Sequence, residues 1–93
     1  MTYELEFRDE ALKEWQKLGA TLKAEFKTAL EKRLKNPRIQ KHALHGMPDH
    51  YKIKLRSAGY RLVYRVEDLR VTVVVVAVGK RERGEVYEKA KKR

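Results

Sequence analysis

The sequence predicts an α+β domain with the element order β-α-α-β-β-β-α, a mostly antiparallel sheet and two N-terminal helices packed on one face. Two observations predict this class. After one short strand, apolar residues recur every three or four positions, as in helices, and in the second half they recur every second position, as in strands. The apolar run 73–78 then indicates a strand covered on both faces. We expect one domain over residues 1–93, because chains of this length rarely form two cores.

The N-terminal part is predicted to contain one strand and two helices. Residues 2–7 alternate between polar and apolar side chains, which is typical of a half-buried strand. Asp9 is the expected N-cap of the first helix, and Gly19 follows its last apolar residue. A second amphipathic helix is predicted from about residue 21 to 35. It ends before Pro37, because proline disfavours a helical residue in front of it.

The C-terminal part is predicted to contain three strands and a weak helix. Residues 51–56 and 60–66 alternate in polarity and are separated by a short turn, in which Gly59 can adopt a positive φ. A central strand is expected at residues 71–78, followed by a helix over residues 81–92 with a thin apolar stripe. The strand that lies beside the first one cannot be read from this pattern.

Composition points to a polyanionic partner. Lysine and arginine number 23 against 13 acidic residues, giving a net charge of +10. A domain this basic attracts nucleic acid or, as an alternative, an anionic membrane surface. The basic residues lie largely on predicted strands rather than on a basic amphipathic helix, which argues against the membrane. The chain has no cysteine, and we expect a cytoplasmic protein without an export signal.

The second strand and its neighbour carry a cluster of cations. Lys52, Lys54 and Arg56 share one face of a strand, because side chains two residues apart point the same way. The hairpin brings Arg61 and Arg65 alongside them. Like charges on paired strands repel, so an anionic ligand is expected to offset the repulsion. The alternatives are an ordinary solvated strand face and a nucleic-acid-binding surface without chemistry.

The segment after the last strand supplies two further candidates. Arg81 follows the central strand, and Tyr87 lies in the final helix. If this helix docks near the sheet, Arg81 joins the cations and the Tyr87 ring can stack on an unpaired base. A tyrosine in such a helix is, however, more often a packing residue.

No cofactor or metal is predicted. His42, His45 and His50, with Asp49 beside the last of them, match no strong metal-ligand spacing. Glycine-rich phosphate loops and serine or threonine nucleophile arrangements are absent from the sequence.

Four segments closely resemble the RelE toxins of bacterial toxin–antitoxin pairs. They are Leu44-His45-Gly46-Met47-Pro48, Tyr51-Lys52-Ile53-Lys54-Leu55-Arg56, Gly59-Tyr60-Arg61-Leu62-Val63-Tyr64 and Gly79-Lys80-Arg81-Glu82-Arg83. The resemblance extends over essentially the whole chain. It implies an endoribonuclease that cuts mRNA in the ribosomal A site, and an antitoxin of the RelB type that wraps the toxin and displaces or blocks the last helix. We therefore expect a toxin–antitoxin hetero-oligomer, with the ribosome and its RNA as the other partner.

The resemblance also implies which residues act. The positions that match the family's active site are Lys52, Lys54, Arg61, Arg81 and Tyr87. Further RNA contacts are expected from Arg56, Arg65, Lys80, Arg83 and His45. Two positions depart from the family pattern: His45 replaces an arginine, which changes one RNA contact, and Gly84 replaces a serine. Glycine inside a helix costs about 0.5–1 kcal/mol, so the final helix is expected to be looser.

These side chains can cleave RNA through its own 2′-hydroxyl without a metal ion. Crowding among like charges lowers the pKa of a lysine, which makes Lys54, or as second choice Lys52, the expected general base. Arg61 and Arg81 would hold the scissile phosphate, while Lys52 stabilises the developing charge. Tyr87 would stack on or orient a base.

Two other functions remain open from the sequence. The related ParE toxins share the fold but inhibit DNA gyrase without cleaving RNA, so the fold by itself does not decide. A plain RNA-binding protein would bind with strong salt dependence and leave its RNA intact.

Overall fold

The computed structural model describes residues 2–55 and 59–93, which form one four-stranded sheet and three α-helices. The strands are β1 (Glu4–Phe7), β2 (His50–Leu55), β3 (Tyr60–Glu67) and β4 (Thr72–Lys80). The helices are α1 (Asp9–Gln16), α2 (Ala20–Lys35) and α3 (Glu85–Lys92). The strand order is β1-β4-β3-β2, with β1 parallel to β4 and the other neighbours antiparallel. The predicted class and element order are confirmed.

Strand β4 is the centre of the sheet. It lies between β1 and β3, and its residues 72–78 are all buried, as the continuous apolar run predicts. The strand begins one residue later than predicted and continues through Gly79 to Lys80, so Gly79 does not end it. The neighbour of β1, which the sequence left open, is β4.

The two faces of the sheet are covered by different helices. On one face, Ala11 of α1 and Phe26 of α2 belong to the same buried cluster as Ile53 of β2. On the other face, Val63 of β3 packs with Val86 of α3. The N-terminal helices therefore share one face, as predicted, and α3 covers the opposite one.

The N-termini of the helices differ slightly from the prediction. Asp9 was expected as the N-cap of α1, but Arg8 occupies that position with an extended backbone and no side-chain cap. Asp9 is instead the first helical residue, where its negative charge still favours the positive end of the helix. Helix α2 begins at Ala20 and ends before Pro37, close to the predicted bounds.

The final helix begins later than predicted. Residues 82–84 form a 3₁₀ turn, in which Arg83 and Gly84 have φ values of 55° and 67°, and α3 starts only at Glu85. Gly84 therefore precedes the helix and adopts a left-handed conformation that glycine tolerates better than other residues. The expectation that Gly84 loosens the interior of the helix is wrong for this reason.

The C-terminal end of α3 is tied to α1 by one carboxylate. Glu14 accepts hydrogen bonds from both terminal nitrogens of Arg93 at 2.9 and 3.0 Å, and from the backbone N–H of Val78 at 3.0 Å. Lys89 lies 3.0 Å from the same carboxylate. Arg93 also donates to the carbonyl oxygen of Val76 at 3.0 Å. Helix α3 is thus held by apolar packing and by this cluster around Glu14.

Val71, at the turn between β3 and β4, has a strained backbone. Its φ and ψ are 49° and 48°, a left-handed conformation that is unfavourable for a β-branched residue. We expect the substitution Val71→Asn to raise the free energy of unfolding by about 0.5–1 kcal/mol, because asparagine adopts this conformation more easily. Urea denaturation measures the change. Leu69→Asn, in the same turn at a fully exposed position, is the control and should leave stability unchanged.

Candidate active site

The hairpin formed by β2 and β3 places two cations side by side. Lys54 is the register partner of Arg61, and Lys52 is the partner of Val63. Because paired residues and residues two apart share a face, Lys52, Lys54 and Arg61 lie on the face that α3 covers. Lys54 is exposed, whereas Lys52 and Arg61 are half-buried.

Arg81 joins this pair at the end of β4. Its backbone N–H donates to the carbonyl oxygen of Gly59 at 2.9 Å, which holds the segment after β4 against the β2–β3 turn. A cavity of about 320 Å³ is lined by Lys54, Gly59, Arg61 and Arg81. The structure therefore brings three of the predicted site residues to one cavity, from three different segments of the chain. We call it the phosphate cavity.

Lys52 and Tyr87 belong to the face of the sheet that α3 covers, but neither lines the phosphate cavity. Burial lowers the pKa of the Lys52 ammonium below its usual value, and the charges of Lys54 and Arg61 lower it further. Tyr87 is half-buried and packs against the cluster that contains Val63, the register partner of Lys52. Its ring thus has the packing role that is common for such tyrosines.

Arg33 of α2 supports β2 from the opposite side. Its guanidinium donates to the carbonyl oxygen of Lys52 at 3.1 Å and to the hydroxyl of Tyr64 at 2.9 Å. The Tyr64 hydroxyl in turn donates to the carbonyl oxygen of Pro37 at 2.6 Å. Arg33 was not singled out from the sequence, because in the helical pattern it looks like any other solvated cation of α2.

Arg65, predicted as an RNA contact, is engaged elsewhere. It lies on the same face as Arg61 but at the far end of β3, opposite His50. Glu67 forms ion pairs with both Arg65 and Arg70. These contacts lower the pKa of the Glu67 carboxyl. Arg65 is therefore paired with an acidic residue and does not join the other cations that the sequence grouped with it.

The structure places the other predicted RNA contacts around the site rather than in it. Lys80 is the register partner of Tyr60, so it lies on the opposite face from Arg61. His45 lines a separate cavity of about 460 Å³ in the loop before β2. Arg83 is exposed in the 3₁₀ turn after Arg81. Arg56 lies outside the described residues.

The phosphate cavity has the electrostatics of an anion site. Its three charged side chains are all cations, and within residues 2–55 and 59–93 none of them forms an ion pair. Two arginines offer planar sets of donors that match phosphate oxygens, and Lys54 adds a compact charge. In the same part of the chain, His42, His45 and His50 do not assemble with carboxylates into a metal-ligand cluster.

The sequence and the fold match known toxins. The family model described as the ParE toxin of type II toxin–antitoxin system, parDE, matches residues 5–84. The mRNA interferase toxin RelE of Escherichia coli (strain K12) is 58% identical over 93 residues, which cover 100% of this chain and 98% of that protein. The mRNA interferase RelE of Shigella flexneri shows the same identity and coverage.

Two solved structures illustrate the structural match. An arginine double mutant of the E. coli toxin RelE in the free state superposes with a TM-score of 0.93 at 56% identity, covering 100% of this chain and 98% of that chain. The same mutant toxin in complex with a peptide of the antitoxin RelB gives a TM-score of 0.85 at 56% identity, with coverages of 97% and 95%. The chain belongs to the ParE/RelE family of type II toxin–antitoxin toxins.

Proposed function

We propose that this protein is an mRNA interferase, an endoribonuclease toxin that works without a metal ion, cuts mRNA in the ribosomal A site and thereby inhibits translation. The observation that carries the proposal is the meeting of Lys54, Arg61 and Arg81 at one cavity. The two relatives that are 58% identical over the whole chain carry the name mRNA interferase, which supports the same reaction.

The proposed reaction uses the RNA 2′-hydroxyl as the nucleophile. Its oxygen attacks the adjacent phosphorus and loses its proton, while the bond from phosphorus to the 5′-oxygen breaks and that oxygen gains a proton. Negative charge builds up on the phosphate oxygens during this step. Arg61 and Arg81 donate hydrogen bonds to those oxygens, and such preorganised donors are worth most in the transition state.

Two lysines compete for the role of general base. A base must first be within reach of the proton, and Lys54 lines the phosphate cavity. Burial lowers the pKa of Lys52, and the charges of Lys54 and Arg61 lower it further. We assign the base to Lys54 on geometry and assign charge stabilisation to Lys52, which is the second candidate for the base.

Tyr87 and the ribosome supply alignment. Tyr87 lies in α3, which covers the same face of the sheet as Lys52, and we propose that its half-buried ring stacks on an unpaired base of the message. Histidine, the usual proton carrier near neutral pH, does not line the phosphate cavity in the described part of the chain. Without such a group, cleavage of free RNA should be slow. We therefore propose that the ribosome orders the message for cleavage, since alignment is worth several kcal/mol. His45, Arg56, Arg65, Lys80 and Arg83 are proposed as outer RNA contacts.

The proposed protein partner is an antitoxin of the RelB type. Solved structures with the same fold include the intact E. coli RelBE toxin–antitoxin complex, at 57% identity and a TM-score of 0.84, and the complex with a RelB peptide. We propose that this chain forms a toxin–antitoxin hetero-oligomer and that the antitoxin blocks cleavage by covering or displacing α3.

We propose a location for the protein from its proposed target, the ribosome. No helix among the residues described has the length and apolar character needed to cross a membrane. Because the target is a translating ribosome, we propose that the protein acts in the cytoplasm. We also propose that residues 1–93 act as one toxin domain.

Cleavage on ribosomes tests the proposal. Purified protein is added to ribosomes that carry a defined mRNA, and primer extension maps the new ends. We expect cuts inside the A-site codon, and none when an excess of the RelB-type antitoxin is present. Because the matching family model is that of ParE toxins, a DNA gyrase supercoiling assay is run in parallel. Intact mRNA together with inhibited gyrase would contradict the proposal and favour a ParE-type function.

A further inference from the structure

A second cavity adjoins the phosphate cavity at the outer edge of β2. It has a volume of about 480 Å³ and lies between α2, the 3₁₀ turn Gln40–His42 and β2. Among its lining residues are Lys32, Arg33 and His42, and it shares Lys54 with the phosphate cavity. We call it the α2 cavity. The α2 cavity lies on the face of the sheet that α2 covers, and the phosphate cavity lies on the face that α3 covers. A single extended ligand that occupies both therefore passes around Lys54 at the outer edge of β2.

The α2 cavity is basic and its cations are not neutralised. Three of its lining side chains are the bases Lys32, Arg33 and Lys54, and Glu25 is its one acidic lining residue in the described part of the chain. No ion pair or side-chain hydrogen bond involves Lys32, His42 or Lys54 within residues 2–55 and 59–93. The donors of Lys32 and His42 are therefore available to a ligand.

Arg33 and His42 differ in what they can contribute. The Arg33 guanidinium already donates to the Lys52 carbonyl and the Tyr64 hydroxyl, so it contributes charge rather than a new contact. Burial lowers the pKa of His42, and the charges of Arg33 and Lys41 lower it further. An anion in the cavity would reverse this effect, because a nearby negative charge favours the protonated imidazole.

We propose that the α2 cavity is a second phosphate subsite for RNA, with Lys32 and His42 as its ligands and Lys54 shared with the phosphate cavity. This inference rests on the proposed ribonuclease function and extends it. A nucleic-acid strand presents successive phosphates along one backbone, which matches two basic cavities joined through one lysine. The subsite binds a further phosphate of the same strand and holds the strand in register for cleavage.

Binding of an RNA that cannot be cleaved tests the subsite. Fluorescence anisotropy is measured with a fully 2′-O-methylated dinucleotide and hexanucleotide. For the double variant Lys32→Ala/His42→Gln, we expect about tenfold weaker binding of the hexanucleotide and a log–log salt slope that is smaller by about 0.7–1. The dinucleotide, which is long enough for the phosphate cavity only, should bind within about twofold of the wild type.

Two controls distinguish a specific contact in the α2 cavity from a nonspecific effect of the protein's net charge on RNA binding. Lys27→Ala removes the same charge from α2 but lies beside a different, apolar groove, so hexanucleotide binding should be retained. Lys32→Arg keeps the cation and should retain most of the affinity. Thermal unfolding of each variant shows whether the fold is intact, which is expected because Lys32 is exposed and His42 only half-buried.

Binding to ribosomes shows whether the phosphate in the α2 cavity comes from the message or from ribosomal RNA. If the subsite holds the message, the double variant loses affinity for ribosomes with mRNA in the A site but not for ribosomes without mRNA. If it holds ribosomal RNA, affinity falls for both. The first result supports the proposal as stated. The second retains a phosphate subsite for RNA but overturns the statement that it holds the strand being cleaved.

Unchanged hexanucleotide affinity and salt slope in the double variant would overturn the inference. That failure is distinct from failure of the proposed function. A wild-type protein that cleaves A-site mRNA, together with a double variant that binds the hexanucleotide normally, removes only the subsite. A wild-type protein that cleaves no mRNA removes the proposed function, whatever the binding assay shows.

Discussion

Replacing Lys54 with alanine is expected to slow cleavage of ribosome-bound mRNA by about 10²- to 10⁴-fold, the range for loss of a general base. Arg81→Ala is expected to slow it by about 10²- to 10³-fold, because a donor to the developing phosphate charge is lost. Both side chains line the phosphate cavity without a partner of opposite charge there. Neither supports the core, so the folded structure should survive both substitutions.

Single-turnover cleavage on programmed ribosomes measures these effects. Lys54→Arg is the informative companion, because arginine keeps the charge but essentially never gives up its proton. If Lys54 is the base, Lys54→Arg should be nearly as slow as Lys54→Ala. Lys17→Ala, an exposed lysine beyond α1, is the matched control and should cleave at the wild-type rate. Wild-type rates for both Lys54→Ala and Arg81→Ala would show that the assignment is wrong.

Loss of the Glu14 carboxylate is expected to be the costliest change outside the core. Glu14→Ala removes the shared acceptor of Arg93, Lys89 and the backbone N–H of Val78. Arg93 keeps its hydrogen bond to the Val76 carbonyl, but loss of the shared, partly buried acceptor should still lower the free energy of unfolding by about 2–3 kcal/mol. Because α3 carries Tyr87, we expect slower cleavage as well.

The pH dependence of stability identifies the Glu14 cluster directly. Burial by itself would raise the pKa of the Glu14 carboxyl, but hydrogen bonds from Arg93, Val78 and Lys89 lower it below its usual value. The stabilisation is therefore present above the unfolded pKa of about 4.3 and is lost as pH falls through the folded pKa. The stability gap between wild type and Glu14→Gln should be largest near neutral pH and should shrink in acid.

Chemical denaturation at several pH values checks this prediction. Glu10→Ala is the matched control, because Glu10 is exposed and lies in the same helix, where its contact with Arg8 is long at 3.9 Å. It should change stability by less than about 0.5 kcal/mol. A double-mutant cycle with Arg93→Ala should show coupling. Additive effects of Glu14→Ala and Arg93→Ala would contradict the proposed tie between α1 and α3.

Local pattern was sufficient to predict the order of the elements and the faces of the β2–β3 hairpin. Lys52, Lys54 and Arg61 share a face because side chains alternate along a strand, whatever the rest of the fold does. The apolar run of β4 likewise predicts a strand buried on both sides. Backbone conformations at the ends of helices and strands were harder to predict from the sequence. Val71, Arg83 and Gly84 adopt left-handed geometry there, and this geometry follows from the local path of the chain.

Contacts that depend on how helices pack could not be predicted from the sequence. Glu14 looks like a solvated residue of α1, and its role appears only when α3 returns to the same edge of β4. Lys32 and His42 lie on segments that meet only because α2 packs against β2. The position of Arg81 beside Lys54 was predicted only with the help of the family resemblance, since the length of β4 and the turn at Gly59 decide it.

The end groups of the RNA fragments test the central claim most directly. A message with a single 2′-deoxy substitution at the nucleotide 5′ to the cut is compared with the all-ribose message on ribosomes. We predict that the ribose message yields a fragment ending in a 2′,3′-cyclic phosphate and a fragment with a 5′-hydroxyl, and that the deoxy message stays intact at that position. Two results would contradict attack by the 2′-hydroxyl in the phosphate cavity. They are cleavage of the deoxy message at the rate of the all-ribose message, and fragments with a 5′-phosphate.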